Sequence, residues 1–81
     1  MEHSETWLNG PGFVYVPHSH PYHKTLTCLK GSVEFKVWGK DGEKLVLLKA
    51  GDTLEIPPDT SHSAVVGPKG VMCTEVHRLG R

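Results

Sequence analysis

The stretch Gly12–Gly31, GFVYVPHSHPYHKTLTCLKG, carries His18, His20 and His23 at the end of an alternating apolar run. Alternation of this kind marks a strand with one buried face. Side chains on a strand alternate between its faces, so Val14, Val16, His18 and His20 share one parity. The expectation is that the imidazoles of His18 and His20 project from the face that buries the valines. Two imidazoles about 7 Å apart along a strand form half of a metal site. His62 closes a second turn-rich stretch, Gly51–His62, GDTLEIPPDTSH. The rest of the chain reads as the scaffold that brings His62 to His18 and His20.

Around this stretch the chain falls into β-rich runs bounded by Gly and Pro. Trp7-Leu8 precede the turn Asn9-Gly10-Pro11-Gly12 and read as a short strand packed on the core or on a partner chain. Phe13 to Val16 is a strand, and Pro17 marks the rim where it bends. His20-Pro21-Tyr22-His23 is a turn or bulge, and Thr25 to Leu29 is the next strand. Val33 to Trp38 alternates, with Val33, Phe35 and Val37 on one face and Glu34, Lys36 and Trp38 on the other. Gly39-Lys40-Asp41-Gly42 is a hairpin signal, Asp-Gly supplying the positive φ of a tight turn. Strands over 44–48, 53–56, 61–66 and 71–76 follow, separated by Ala50-Gly51-Asp52, Pro57-Pro58-Asp59 and Gly67-Pro68-Lys69-Gly70. No window has helical periodicity with caps. Short strands at this spacing argue an all-β barrel or sandwich.

The 81 residues suit one small domain, 1–81. A core of that size is marginal, so metal, disulfide or oligomer support is expected. The formal net charge is zero, which gives no basic field for nucleic acid. No segment approaches the roughly 20 apolar residues that span a bilayer. MEHSETWLNG lacks the charged and apolar regions of a signal peptide, and the expectation is a soluble cytoplasmic protein. In that compartment Cys28 and Cys73 read as two buried thiols; a disulfide, or a thiol lining the site, are the alternatives.

Two motifs resemble those of the cupins, small β-barrels of the jelly-roll type. The first cupin motif is a Gly, five residues, His-x-His, three or four residues, Glu, six residues and Gly. Here it reads Gly12, FVYVP, His18-Ser19-His20, Pro21-Tyr22-His23, Lys24, TLTCLK, Gly31. The second is a Gly, five residues, Pro-x-Gly, two residues, His, three residues and Asn. Here it reads Gly51, DTLEI, Pro57-Pro58-Asp59, Thr60-Ser61, His62, SAV, Val66. Lys24 stands at the acidic ligand position, Asp59 at a glycine and Val66 at the asparagine. The resemblance therefore carries over His18, His20 and His62 as ligands, and not the glutamate. It also implies a chain short at its N-terminus, with an exposed sheet edge and a homodimer that shares strands.

Neutral imidazoles suit Fe, Zn, Ni and Cu, and loss of the carboxylate tilts the site away from Mn. Three histidines leave positions for water, oxygen or substrate. A protonated Lys24 beside a divalent cation is repulsive, so it must lose its proton, swing out or find a carboxylate. A bulge at Pro21-Tyr22 would turn His23 inward as a fourth ligand; strict parity points it outward. Lys24 and Tyr22 are the candidates for moving protons. Glu75 is Lys24's natural partner if it faces inward, but neither parity is decided. His3 and His77 read as solvated, and Tyr15 and Trp38 as surface or interface aromatics. The expected small pocket is lined by Val14, Val16, Leu26, Cys28, Phe35, Leu54, Ile56, Ala64 and Val66. The leading expectation is a metal-dependent dioxygenase acting on a small molecule. The alternatives are a non-redox lyase or isomerase, and a ligand-binding or sensor module without chemistry.

Overall fold

The computed structural model describes residues 2–78, and among them every regular element is a strand. The six are β1 (Glu2–Asn9), β2 (Val14–His18), β3 (His23–Gly39), β4 (Gly42–Lys49), β5 (Thr53–Ile56) and β6 (Ser61–Arg78). The all-β expectation holds, with one difference of detail. The paired runs expected on either side of Gly31 and of Gly67–Gly70 are not separate strands. Each pair is a single long strand that bends in the middle.

The two bent strands build a two-layered body. In one layer residues 71–78 of β6 pair with β1 on one side and with residues 23–28 of β3 on the other. β5 extends that layer through Lys24↔Ile56 and Thr27↔Thr53. In the other layer residues 61–66 of β6 pair with β2 and with residues 33–38 of β3, and β4 forms the far edge. All pairings are antiparallel, as short connections allow. Where the two bends cross there is no room for a side chain. A Cβ on Gly31 would lie 1.9 Å from the Gly70 carbonyl oxygen, and φ at Gly31 is +73°. Glycine alone meets both conditions.

Leu26, Cys28, Val33, Phe35, Leu48, Ile56, Ala64, Val66, Val71 and Cys73 fill the space between the layers. Cys28 and Cys73 face each other in register, are fully buried and are free thiols. Burial raises both thiol pKa values, that of Cys73 to about 12. They stay protonated and inert. The hairpin forms around Lys40-Asp41, with Gly39 paired to Gly42 and the positive φ at Gly42. The turn after β4 is tied by Asp52 to Lys49, and it bonds back to Cys28 through both backbone groups. No helix among the described residues is long and apolar enough to cross a membrane.

Parity fails on β2. Val14 and Val16 are exposed, and Tyr15 is the residue that packs on the core. The register of β2 against β6 slips between Tyr15 and His18, at the position of Pro17. A bulge adds one residue and reverses the alternation beyond it. His18 therefore faces inward although the valines of the same parity face out.

Candidate metal centre

The two motif loops meet where the end of β2 pairs with the start of β6. His18 lies opposite His62 in the β2–β6 register, and His20 sits two residues further on. The Asp59 amide donates to the His20 carbonyl at 2.6 Å, clamping one loop to the other. Asp59 makes this turn at φ +60°, a conformation Asp tolerates in place of glycine. The ring centroids of His18, His20 and His62 lie 4.8, 4.5 and 5.6 Å apart, and one ligand atom of each lies within 4.8 Å of the others.

The protonation of these rings fits a cation. His18 Nδ1 bonds to the Val16 carbonyl at 2.8 Å, and His62 Nδ1 to the Thr60 carbonyl at 3.0 Å. A carbonyl can only accept, so Nδ1 carries the proton and Nε2 keeps its lone pair. The same backbone contact orients metal-bound imidazoles generally. His62 Nε2 is buried without a hydrogen-bond partner. A buried polar atom left unpaired costs about 1–3 kcal/mol, and a metal ion removes that penalty. Burial, then the charges of Lys24, His18 and His62, lowers the His20 pKa to about 4. Burial likewise lowers that of His62. Both rings are neutral near pH 7, the form that binds metal.

The histidines form one wall of a cavity of about 350 Å³. The opposite wall comes from β1, β3 and the second half of β6. Glu75 is its centre, 8 % exposed. It accepts from Trp7 Nε1 at 2.9 Å and pairs with His77 Nε2 at 2.6 Å and with Lys24 Nζ at 3.7 Å. Burial alone would raise the Glu75 pKa; the His77 hydrogen bond, Lys24 and Trp7 outweigh it and hold the carboxyl below its ordinary value. Tyr22 joins the walls, stacked on His20 at 4.8 Å and on His77 at 4.4 Å. Burial, reinforced by Glu75 and Glu5, raises its pKa, so Tyr22 stays a neutral proton donor. Tyr15 lines the floor with Leu26, Phe35 and Ala64.

The structure brings His18, His20, His62, Lys24 and Tyr22 to one cavity, and it does not bring His23. His23 points away and its Nε2 lies 3.0 Å from Glu55 Oε1. Of the expected apolar lining only Leu26, Phe35 and Ala64 reach the cavity. Val14 and Val16 are outside, while Cys28, Ile56 and Val66 belong to the core behind it. Trp7, Glu75 and His77 are cavity-wall residues that the sequence reading missed or left unplaced. His77 is not solvated: its side chain is 12 % exposed, whereas that of His3 is 65 % exposed. The usable signal was the spacing Glu75-x-His77 on one strand parity, opposite the inward Lys24. Glu5 approaches Glu75 and His77 closely enough to suggest a second cation site. Both Glu75 oxygens are already taken by Trp7, Lys24 and His77, so that group is satisfied without an ion.

A family model described as "Cupin domain" matches residues 7–76. No curated protein matches the chain in sequence. Among solved structures, oxalate decarboxylase from Bacillus subtilis superposes with a TM-score of 0.88 at 19% identity, over 94% of this chain. This chain spans only 20% of that one. One structure of that enzyme is described by its Mn(II) centres. An RmlC-like cupin from Shewanella frigidimarina gives 0.83 at 22% identity, covering 99% of this chain and 68% of that one. KdgF from a Halomonas species gives 0.84 at 21%, covering 99% and 71%. These likenesses establish the fold.

Proposed function

This chain belongs to the cupin family, and we propose that it is a metal-dependent enzyme acting on a small molecule by acid–base chemistry. His18, His20 and His62 hold the ion, and His23 has no part in it. When bound, a divalent transition metal supplies a Lewis acid that polarises an oxygen of the substrate. Fe, Zn, Ni and Cu suit the all-imidazole set better than Mn does. The observation that carries the reading is the wall opposite the histidines. Glu75 fixes His77 through a 2.6 Å bond, and Lys24 and Tyr22 flank that pair at the same cavity. A carboxylate that orients an imidazole makes it a competent proton carrier. Tyr22, kept neutral by burial, donates rather than accepts. Lys24 is held by Glu75 and turns its remaining N–H groups to an anionic part of the ligand. The aromatic walls of Trp7, Tyr15, Tyr22 and Phe35 exclude water around a compact substrate.

The oxygenase is the second reading. Three imidazoles without a carboxylate favour it, because they suit iron(II) and leave positions open for oxygen. The experiment is elemental analysis of untagged protein purified without chelators, beside His62→Ala. A near-stoichiometric transition metal that the variant loses is expected. Iron together with oxygen uptake would move the assignment to the oxygenase. No bound metal in the wild type, even after reloading, would overturn the metal site and leave a ligand-binding module.

A further inference from the structure

The three histidines are not held alike. His18 ends β2 and His62 lies within β6, and each donates its Nδ1 hydrogen to a carbonyl two residues back, that of Val16 or Thr60. His20 lies in the loop between β2 and β3, and among the described residues no hydrogen bond reaches its ring. The Asp59 amide clamps the His20 carbonyl, which fixes the backbone and leaves the imidazole free to turn. What lies flat against that imidazole is Tyr22. Their ring planes are 16° apart with centroids 4.8 Å apart, whereas His18 and His62 stand tilted to it at 73° and 48°. Tyr22 stands between His20 on one wall and His77 on the other, and its ring is 27° from that of His77 at 4.4 Å.

We infer that Tyr22 is the positioning residue for the third metal ligand: its ring sets the plane of His20, and His77 and Glu75 hold that ring in place. The inference rests on the metal reading of the three histidines. A metal-bound imidazole is ordinarily oriented by a hydrogen bond at its second nitrogen. Stacking orients one without that bond. The lone pair that binds a metal lies in the ring plane, so a neighbour on the face leaves both nitrogens open at the edge. Offset stacking is also a favoured arrangement of flat rings, so the contact resists rotation of the imidazole out of plane. The local sequence keeps the two rings together, because the single residue between them is Pro21, whose ring locks its φ at about −65°. Behind Tyr22 the support continues into the fold. His77 is bonded to Glu75 at 2.6 Å, and Glu75 accepts from Trp7 at 2.9 Å. Contacts thus run from β1 through β6 to a ligand that has no strand of its own. Tyr22 has two separable parts: its ring positions His20, and its hydroxyl is the proton donor of the proposed chemistry.

The test is Co(II) titration of the metal-free full chain, followed by visible absorption, with the folding of each variant checked by thermal melts. Tyr22→Phe keeps the ring and should match the wild type in affinity and spectrum. Tyr22→Leu and Tyr22→Met remove the ring and should bind roughly 10–100-fold more weakly, the loss typical of removing a group that orients a ligand. Their spectra should move towards that of His20→Ala, which keeps two of the three histidines. In metal-free wild type the His20 ring protons should resonate upfield of those of a free histidine, because they lie over the Tyr22 face. Wild-type affinity and spectrum in the ring-free variants overturn the proposal and leave the metal centre standing. A loss in Tyr22→Phe as large as in Tyr22→Leu gives the role to the hydroxyl and overturns it too. A wild type that takes up no Co(II) overturns the metal centre itself, and the proposal with it. Unshifted His20 protons mean that the stack is absent in solution, which overturns the proposal without recourse to any variant.

Discussion

Replacing Glu75 by glutamine removes one negative charge from the cavity wall at nearly constant volume, and should cost about 3 kcal/mol of folding free energy. Lys24 and Glu75 are each only 8 % exposed, and their charged atoms lie 3.7 Å apart. At an effective dielectric constant of ~20, that separation is worth roughly 4.5 kcal/mol of attraction. The variant loses it, while the desolvation of the Lys24 ammonium remains. Two features reduce the cost. Glutamine still offers Trp7 an acceptor, and Lys24 borders a cavity that water enters. The result sits at the low end of the ~3–5 kcal/mol measured when one partner of a buried pair is removed. In a domain of this size it lowers Tm by roughly 12–24 °C, at about 4–8 °C per kcal/mol. Urea and thermal melts of metal-free protein measure it. Lys24→Met/Glu75→Gln, which discharges both sites, should recover most of the loss, because discharging a buried pair together is often neutral. A cost below ~1 kcal/mol for Glu75→Gln would mean cavity water already solvates Lys24. A double variant as unstable as the single would mean Glu75 acts through Trp7 and His77, not through its charge.

Acid should destabilise the protein well before ordinary carboxylates titrate. Above about pH 6.5 His20 is neutral in both folded and unfolded chains and contributes nothing. Between that pH and about 4 only the unfolded chain binds the proton, so stability falls as pH drops, by up to ~1.4 kcal/mol per pH unit for each such group. His62 is shifted the same way, and Glu75 withdraws its own contribution at still lower pH. A flat stability profile from pH 7 to 4 would contradict this. Gly31→Ala should cost more than ~3 kcal/mol or prevent soluble expression, because the new methyl group meets the Gly70 carbonyl at a positive φ. Gly39→Ala, with open space around it, is the control. Cys28 and Cys73 should resist thiol reagents at pH 8 in the native state and react only in denaturant; rapid native labelling would show that the core opens.

The sequence was informative wherever a pattern stayed within one straight segment. The alternation of Val33, Phe35 and Val37, the hairpin at Lys40-Asp41 and the absence of helix all follow from local chemistry, and all hold among the described residues. What could not be read is side-chain direction beyond a bend. On β6 the inward residues before Gly67 are even-numbered, His62, Ala64 and Val66; after Gly70 they are odd-numbered, Val71, Cys73 and Glu75. On β3 they change from Lys24, Leu26 and Cys28 to Val33 and Phe35, across register slips on either side of Gly31. On β2 they change from Tyr15 to His18 across Pro17. Of the four strands that line the cavity, β2, β3 and β6 therefore each reverse parity once, at a proline or at glycines.

That reversal explains why the two walls differed in legibility. The structure brings His18, His20 and His62 together, a meeting implied by motif spacing, which already contains the extra residue of the bulge. The parity argument for the same histidines was wrong, since it also put Val14 and Val16 inside. Glu75 and His77 have no such motif, so their direction depended on counting through Gly67–Gly70, where the count fails. The position of Lys24 was nevertheless the clue. A buried ammonium needs a counter-charge within a few ångströms. Lys24 is in register with His77 and two residues from Leu26, which lies opposite Glu75, and among inward-facing described residues Glu75 is the buried carboxylate. In the cupin motif a carboxylate stands at the Lys24 position and would reach the metal. Here the carboxylate stands one strand away, balancing a lysine and orienting a histidine. Lys24→Glu is the direct test of that relocation. It should raise Mn(II) affinity by adding an oxygen ligand and destabilise the metal-free fold by facing Glu75 with a like charge. If it does neither, residue 24 does not face the ion.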